Sequence, residues 1–190
     1  MTLEEVYEQH CKSGTAIAAH LPRLRALADG LDVAVEFGVK RGASATALLL
    51  GAKRVISVDI QETPQARAIE ALADGRWLYL IGDSRRADLP PSDLLFIDSQ
   101  HDYAHVKAEL QAHAHHVRRY LIFHDVSTFG EVAAVGETGK QAWQYTPGQS
   151  VPQAHWGIRP AIDWLQIVDD SWRVKARYVD SHGLLVLERR

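Results

Sequence analysis

The sequence predicts an α/β protein: a doubly wound sheet of five parallel strands, closed by a C-terminal antiparallel hairpin and preceded by N-terminal helices. Three observations predict it. Short, near-continuously apolar runs alternate with helical segments between about residues 33 and 124, as in a parallel sheet covered on both faces. Each of these runs ends in or beside an acidic residue. Two further apolar runs near the C-terminus are separated only by a short turn, so they pair antiparallel, because a parallel crossover needs a dozen or more residues.

Leu3, Val6, Tyr7 and His10, then Leu21, Leu24 and Leu27, repeat at helical spacing and predict two helices ending near Gly30. Val33–Phe37 is the first strand. A turn with Gly38 and Gly42 follows, then an Ala/Leu-rich helix from about Ser44 to Leu50. Arg54–Val58 is the second strand, ending at Asp59, and Pro64 suits the first turn of the next helix. Trp77–Ile81 is the third strand, ending at Gly82-Asp83, and Leu94–Ile97 the fourth, ending at Asp98. A helix from about Tyr103 to Arg118 leads to Tyr120–Phe123, which ends at His124-Asp125. The tail reads as a helix over Pro160–Val168, then the hairpin Trp172–Val179 and Leu184–Leu187 around Ser181-His182-Gly183. Residues 126–157 fit neither period. They carry glycines at 130, 136, 139, 148 and 157, prolines at 147 and 152, and Trp143, Tyr145 and Trp156, and are expected to form a lid loop.

With 190 residues the chain is expected to be a single domain, residues 1–190. A net charge of −3 offers no electrostatic footprint for nucleic acid. No apolar run approaches the roughly 18 residues of a membrane span, and no basic-then-apolar leader opens the sequence. The single cysteine, Cys11, permits no internal disulfide, so a reducing cytoplasm is the expected setting. Ten histidines stand out, six of them between His101 and His124.

Ligands of open α/β sheets bind outside the carboxyl ends of the strands. Glu36, Asp59, Asp83, Asp98 and Asp125 all fall on that edge. Gly38 and Gly42 stand four apart, with Glu36 two residues before the first, which is not the glycine spacing of a nicotinamide dinucleotide site. An acid in that loop suits a cationic amino group rather than a phosphate. Asp59 suits a ribose diol, and Asp83 with Ser84 could receive an adenine amino group. An aminoacyl-type nucleoside fits better than a dinucleotide.

E36-F-G-V-K-R-G-A-S44, the strand ending V-D59, G82-D-S84, L-L-F-I-D98-S-Q-H101-D-Y103, I-F-H124-D125, F129-G130, G136-E137 and G183-L-L-V-L-E-R, with H20-L-P near the start, resemble class I S-adenosylmethionine-dependent methyltransferases. Within them the resemblance is to the branch of metal-dependent sugar and macrolide O-methyltransferases and cephalosporin hydroxylase-like proteins. It implies a Rossmann-like fold and S-adenosylmethionine as cofactor. Glu36 and the turn from Gly38 through Gly42 to Ser44 would hold its methionine part, Asp59 the ribose, and Asp83-Ser84 the adenine. It also implies a divalent metal, Mg²⁺ or Mn²⁺, on Asp98, His124 and Asp125, with His101 as catalytic base beside Asp98. His124 departs from the pattern, where related enzymes more often carry a second carboxylate. A homodimer is a further expectation of the resemblance.

The chemistry stands beside it. An unactivated hydroxyl is a poor nucleophile near neutral pH; a cation on the acceptor oxygen stabilises the developing alkoxide, and an imidazole can take the proton. A directly bound His124 would disfavour Mg²⁺, which prefers oxygen ligands, and favour Mn²⁺ or another transition metal. On the helix from Tyr103, His113 falls beside the apolar stripe of Val106, Leu110, Ala114 and Val117, so it is expected to be a packed core histidine. His115 faces solvent, and His105 and His116 lie too far apart along the axis to share a metal. The expected function is therefore O-methylation of a small hydroxylated acceptor, a sugar or glycosylated metabolite. The alternatives are a non-catalytic S-adenosylmethionine-binding module and a nicotinamide-dependent oxidoreductase.

Overall fold

The computed structural model describes residues 1–135, 141–142, 144 and 150–190. Gly136, Glu137, Gly139, Trp143, Tyr145, Pro147 and Gly148, named above for the loop, lie outside the described residues.

The elements are α1 (Leu3–Cys11), α2 (Leu21–Ala28), β1 (Val33–Phe37), α3 (Ala43–Gly51), β2 (Arg54–Asp59), α4 (Pro64–Glu70), β3 (Trp77–Ile81), β4 (Ser92–Ile97), α5 (Tyr103–His113), β5 (Val117–His124), β6 (Ala134–Val135), β7 (Gln141–Ala142), α6 (Arg159–Val168), β8 (Trp172–Tyr178) and β9 (Leu184–Arg189). Seven strands form one mixed sheet in the order β3-β2-β1-β4-β5-β9-β8. β1 to β5 run parallel, and β9 pairs antiparallel with both β5 and β8. The Rossmann-like sheet and its antiparallel closure are thus as the sequence predicts.

Strand alternation divides the core into two layers. Ala34, Val55, Leu94 and Ile122 face Leu21, Leu24, Leu48 and Leu49 of α2 and α3. Val35, Ile56, Leu95 and Phe123 face Val106, Leu110, Ile162 and Leu165 of α5 and α6. Local chemistry starts the helices. Thr2 and Glu5 close a capping box on α1, Thr63 caps α4 with Pro64 in its first turn, and the Asp102 carboxylate accepts from His105 N at 2.9 Å to open α5.

The boundary between α5 and β5 differs most from the sequence reading. The helix predicted to reach Arg118 ends at His113, followed by a 3₁₀ turn over Ala114–His116. Val117 keeps the apolar period of the helix but pairs with Ser92 as the first residue of β5. The Arg189 guanidinium donates to the carbonyls of Ala114 and Val117, each at 2.9 Å, and so supplies donors to backbone carbonyls where the helix stops. His115 and His116 are exposed, and His113 is buried with Nε2 2.7 Å from the Ser84 carbonyl, the core histidine expected. No helix among the described residues is long and apolar enough to cross a membrane.

Candidate active site

The strand-end acids gather at the carboxyl edge, but they do different things there. Glu36 is fully buried. Its Oε2 accepts from the Ser57 hydroxyl at 2.7 Å, which in turn accepts from Trp77 Nε1 at 2.8 Å, while Oε1 has no partner. Burial pushes its carboxyl up to about 7, against the lowering influence of the Ser44 and Ser57 hydroxyls. The turn beyond it is left-handed at Gly38 (φ +85°), Lys40 (φ 49°) and Gly42 (φ +80°). Asp59 holds that turn: its Oδ2 accepts from Val39 N at 2.7 Å and Lys40 N at 3.0 Å. Asp83 takes Arg85 bidentately, at 2.8 and 2.9 Å, and this pairing holds its carboxyl down at about 2. Ser84 is buried, and its hydroxyl donates to Glu109 at 2.5 Å.

Glu36 leads to a stability prediction. Its folded-state value lies above its ordinary 4.5, so the fold favours the protonated form. The stabilisation from protonation is complete below about 4.5 and is lost as pH rises through about 7, where the native state must hold a buried charge. Glu36→Gln is therefore expected to stabilise the ligand-free protein at pH 8 by up to ~3 kcal/mol, seen as a higher melting temperature, with the gain vanishing toward pH 4.5. Thermal denaturation of both proteins across that range checks it, and a gain independent of pH would contradict it.

The ends of β4 and β5 bring four side chains together. His101 Nε2 lies 2.9 Å from Asp125 Oδ2 and 3.3 Å from Asp98 Oδ1. His124 Nδ1 approaches the same two oxygens, at 3.2 Å from Asp98 and 3.5 Å from Asp125. One ligand atom each from Asp98, His101 and Asp125 falls within 4.8 Å of the others, the spacing of a metal-binding group. Burial alone would raise both acids and lower both imidazoles, but the mutual charges outweigh it. Asp98 is held at about 2, Asp125 well below the carboxylate range, His101 at about 9 and His124 at about 10. Asp125 itself is left-handed (φ 61°), a conformation Asp tolerates better than most residues. The His101 ring stacks on Phe129 at 5.0 Å.

Two histidines join this group that strand-end reasoning misses. His182, in the β8–β9 turn, places Nδ1 3.0 Å from Asp125 Oδ1 and is half exposed. The register signals it, since His124 pairs with Leu184 and the turn must therefore come level with Asp125. His20, fully buried, sets its ring edge-to-face with His124 at 5.4 Å. Its Nε2 lies 3.1 Å from the carbonyls of both Asp180 and Ser181, and its Nδ1 accepts from Arg23, which also binds the Asp180 carboxylate. The N-terminal segment thus clamps the turn that carries His182.

The described parts of the 126–157 segment pack against the site. Ala134 N donates to the His101 carbonyl at 3.1 Å, and Tyr103 N to that of Trp156 at 2.9 Å. Trp156 is pinned, its Nε1 donating to Val151 O at 3.0 Å and its ring meeting Tyr103 edge-on at 5.4 Å.

Residues 35–126, which run from within β1 to just past the end of β5 and include the five strand-end acids, match the family model described as a methyltransferase domain. Those residues form a methyltransferase domain. Solved structures share its fold. An O-methyltransferase from Bacillus cereus in complex with SAH superposes with a TM-score of 0.64 at 20% identity, covering 99% of this chain and 90% of that one. A 1,6-didemethyltoxoflavin-N1-methyltransferase from Burkholderia thailandensis gives 0.66 at 15% identity, covering 92% and 78%. The N-methyltransferase NodS from Bradyrhizobium japonicum, with S-adenosyl-L-homocysteine, gives 0.59 at 14%, covering 100% and 98%. Neighbours of the methyltransferase thus include enzymes acting on oxygen and on nitrogen, so the fold leaves the acceptor atom open. No curated protein sequence matches the chain.

Proposed function

We propose that the methyltransferase moves the methyl group of S-adenosylmethionine to a hydroxyl of a small acceptor, a sugar or glycosylated metabolite, with a divalent cation at the ends of β4 and β5. The convergence of Asp98, His101 and Asp125 within 4.8 Å carries this reading. Such a set has a structural use if it holds a cation, since the buried Asp125 and the largely buried Asp98 otherwise need two imidazolium ions for neutrality. Its mixed oxygen and nitrogen donors favour Mn²⁺ or a similar metal over Mg²⁺. A cation held there would stabilise the charge developing on the acceptor oxygen.

The chain's own residues supply the rest. Glu36 Oε1, buried and without a donor, suits the cofactor's cationic amino group, which would satisfy it and favour its ionised form. The Gly38–Ser44 turn would carry the methionine part, Asp59 the ribose and the Asp83-Ser84 segment the adenine. His101, expected as the base, faces both carboxylates through Nε2, so it supports a ligand role beside Asp98, Asp125 and His124. His182 has the better geometry for the base. Asp125 fixes its Nδ1 side, and the half-exposed ring can turn Nε2 to an acceptor hydroxyl. Residues 1–190 act as one domain in this reading, with the described parts of the 126–157 segment beside the acceptor and a homodimer as its assembly.

S-adenosylhomocysteine is expected to raise the melting temperature in differential scanning fluorimetry, with a further rise on adding Mn²⁺ and none with NADH. A shift with NADH and none with S-adenosylhomocysteine would sink the proposal.

A further inference from the structure

Glu109 lies on α5 beside Val106 and Leu110 and is completely buried, yet no part of the proposed chemistry uses it. Its Oε1 accepts from Ser84 Oγ at 2.5 Å and Ser99 Oγ at 2.7 Å, and His105 Nε2 lies 3.1 Å away. Its Oε2 is buried with no partner. A carboxyl group enclosed with one bare oxygen costs stability where a leucine would pack, so fold stability alone does not account for it.

The two serines sit at telling positions. Ser84 follows Asp83 in the loop after β3, and Ser99 follows Asp98 in the loop after β4. Two polar groups of Ser84 are held by α5: the hydroxyl by Glu109 and the carbonyl by His113 Nε2 at 2.7 Å. On the other side, the Asp98–Ser99 backbone packs so closely on Gly38 that a Cβ there would stand 2.2 Å from Asp98 O. One side chain therefore ties the loop proposed for adenine to the loop proposed for the cation, and through the latter to the turn proposed for methionine.

We propose that Glu109 is a positioning residue that holds the cofactor loop and the cation loop in register on a single carboxyl oxygen. This rests on the placement of adenine at Asp83-Ser84 and of the cation at Asp98. It differs from a packing role in one respect: removing Glu109 must affect two ligands at once, while removing either serine affects one.

The test uses the full chain and the variants Ser84→Ala, Ser99→Ala, Glu109→Gln and Glu109→Leu, the last filling the space with carbon to preserve the fold. The dissociation constant of S-adenosylhomocysteine is read by calorimetry, that of Mn²⁺ by electron paramagnetic resonance, and the melting temperature alongside. Ser84→Ala is expected to weaken S-adenosylhomocysteine alone and Ser99→Ala to weaken Mn²⁺ alone. Both Glu109 variants are expected to weaken both ligands, by roughly tenfold each. Glu109 variants that change the melting temperature but keep both constants within about twofold of wild type would overturn the proposal, as would loss of only one ligand. Wild-type protein that binds neither ligand would instead overturn the placement on which it rests.

Discussion

Asp98→Asn and Asp125→Asn are each expected to lower methyl transfer by at least about 10²–10³-fold while S-adenosylhomocysteine binding changes little. Both carboxylates face the same two imidazoles, at 2.9 to 3.5 Å, so either amide leaves one acid to neutralise His101 and His124. A neutral amide is also a much weaker cation ligand than a carboxylate. The substitutions keep side-chain size, and the cofactor-side groups Glu36 and Asp59 remain in place. Asp125→Asn has a second consequence, because the same carboxylate holds His182 Nδ1 at 3.0 Å. It is therefore expected to be the more damaging of the two. Single-turnover kinetics with radiolabelled cofactor, beside calorimetric binding of S-adenosylhomocysteine, separate loss of chemistry from loss of cofactor. Unchanged turnover in both variants would remove the proposed cation from the reaction.

Gly38→Ala is expected to be the most destabilising single-methyl change at the site. Its φ of +85° is a conformation that L side chains rarely adopt, and the added Cβ would meet Asp98 O at 2.2 Å, Asp98 C at 2.7 Å and Ser99 N at 3.0 Å. These are backbone atoms at the end of β4, so relief requires the first and fourth strands to part. Left-handed strain and overpacking together cost ~3 kcal/mol or more, a fall of roughly 6–12 °C in melting temperature for a chain of this size. The displaced residue is Asp98, so cation affinity should fall with stability. Gly75→Ala is the natural comparison: its φ is +70° but nothing lies within 4 Å of its Cβ, so it carries the backbone strain without the clash. Equal losses in the two variants would show that contact with Asp98 contributes nothing.

The sheet and its ligand edge were legible because parallel strands buried on both faces leave a continuous apolar signature, and each stops at an acid. Glu36, Asp59, Asp83, Asp98 and Asp125 were all placed on the carboxyl edge by that signature alone. Several of their partners were not legible, because they come from other elements: the Val39 and Lys40 amides occupy Asp59, and Ser57 on the neighbouring strand binds Glu36. Nothing in the sequence reading singles out Glu109; the meeting of the loops after β3 and β4 against α5 makes it a buried carboxyl group. His182 reads as a turn residue and becomes a neighbour of Asp125 through the antiparallel pairing of β5 with β9. The end of α5 was misplaced for a related reason: Val117 satisfies the helical period, but sheet pairing with Ser92 prevails.

Mn²⁺ binding measured by electron paramagnetic resonance, with S-adenosylhomocysteine present, tests the central claim most directly. The wild-type chain is expected to bind one Mn²⁺ ion, and the double variant Asp98→Asn/Asp125→Asn to bind none while retaining S-adenosylhomocysteine. Mn²⁺ bound equally by both proteins, or by neither, would contradict a cation site at the ends of β4 and β5.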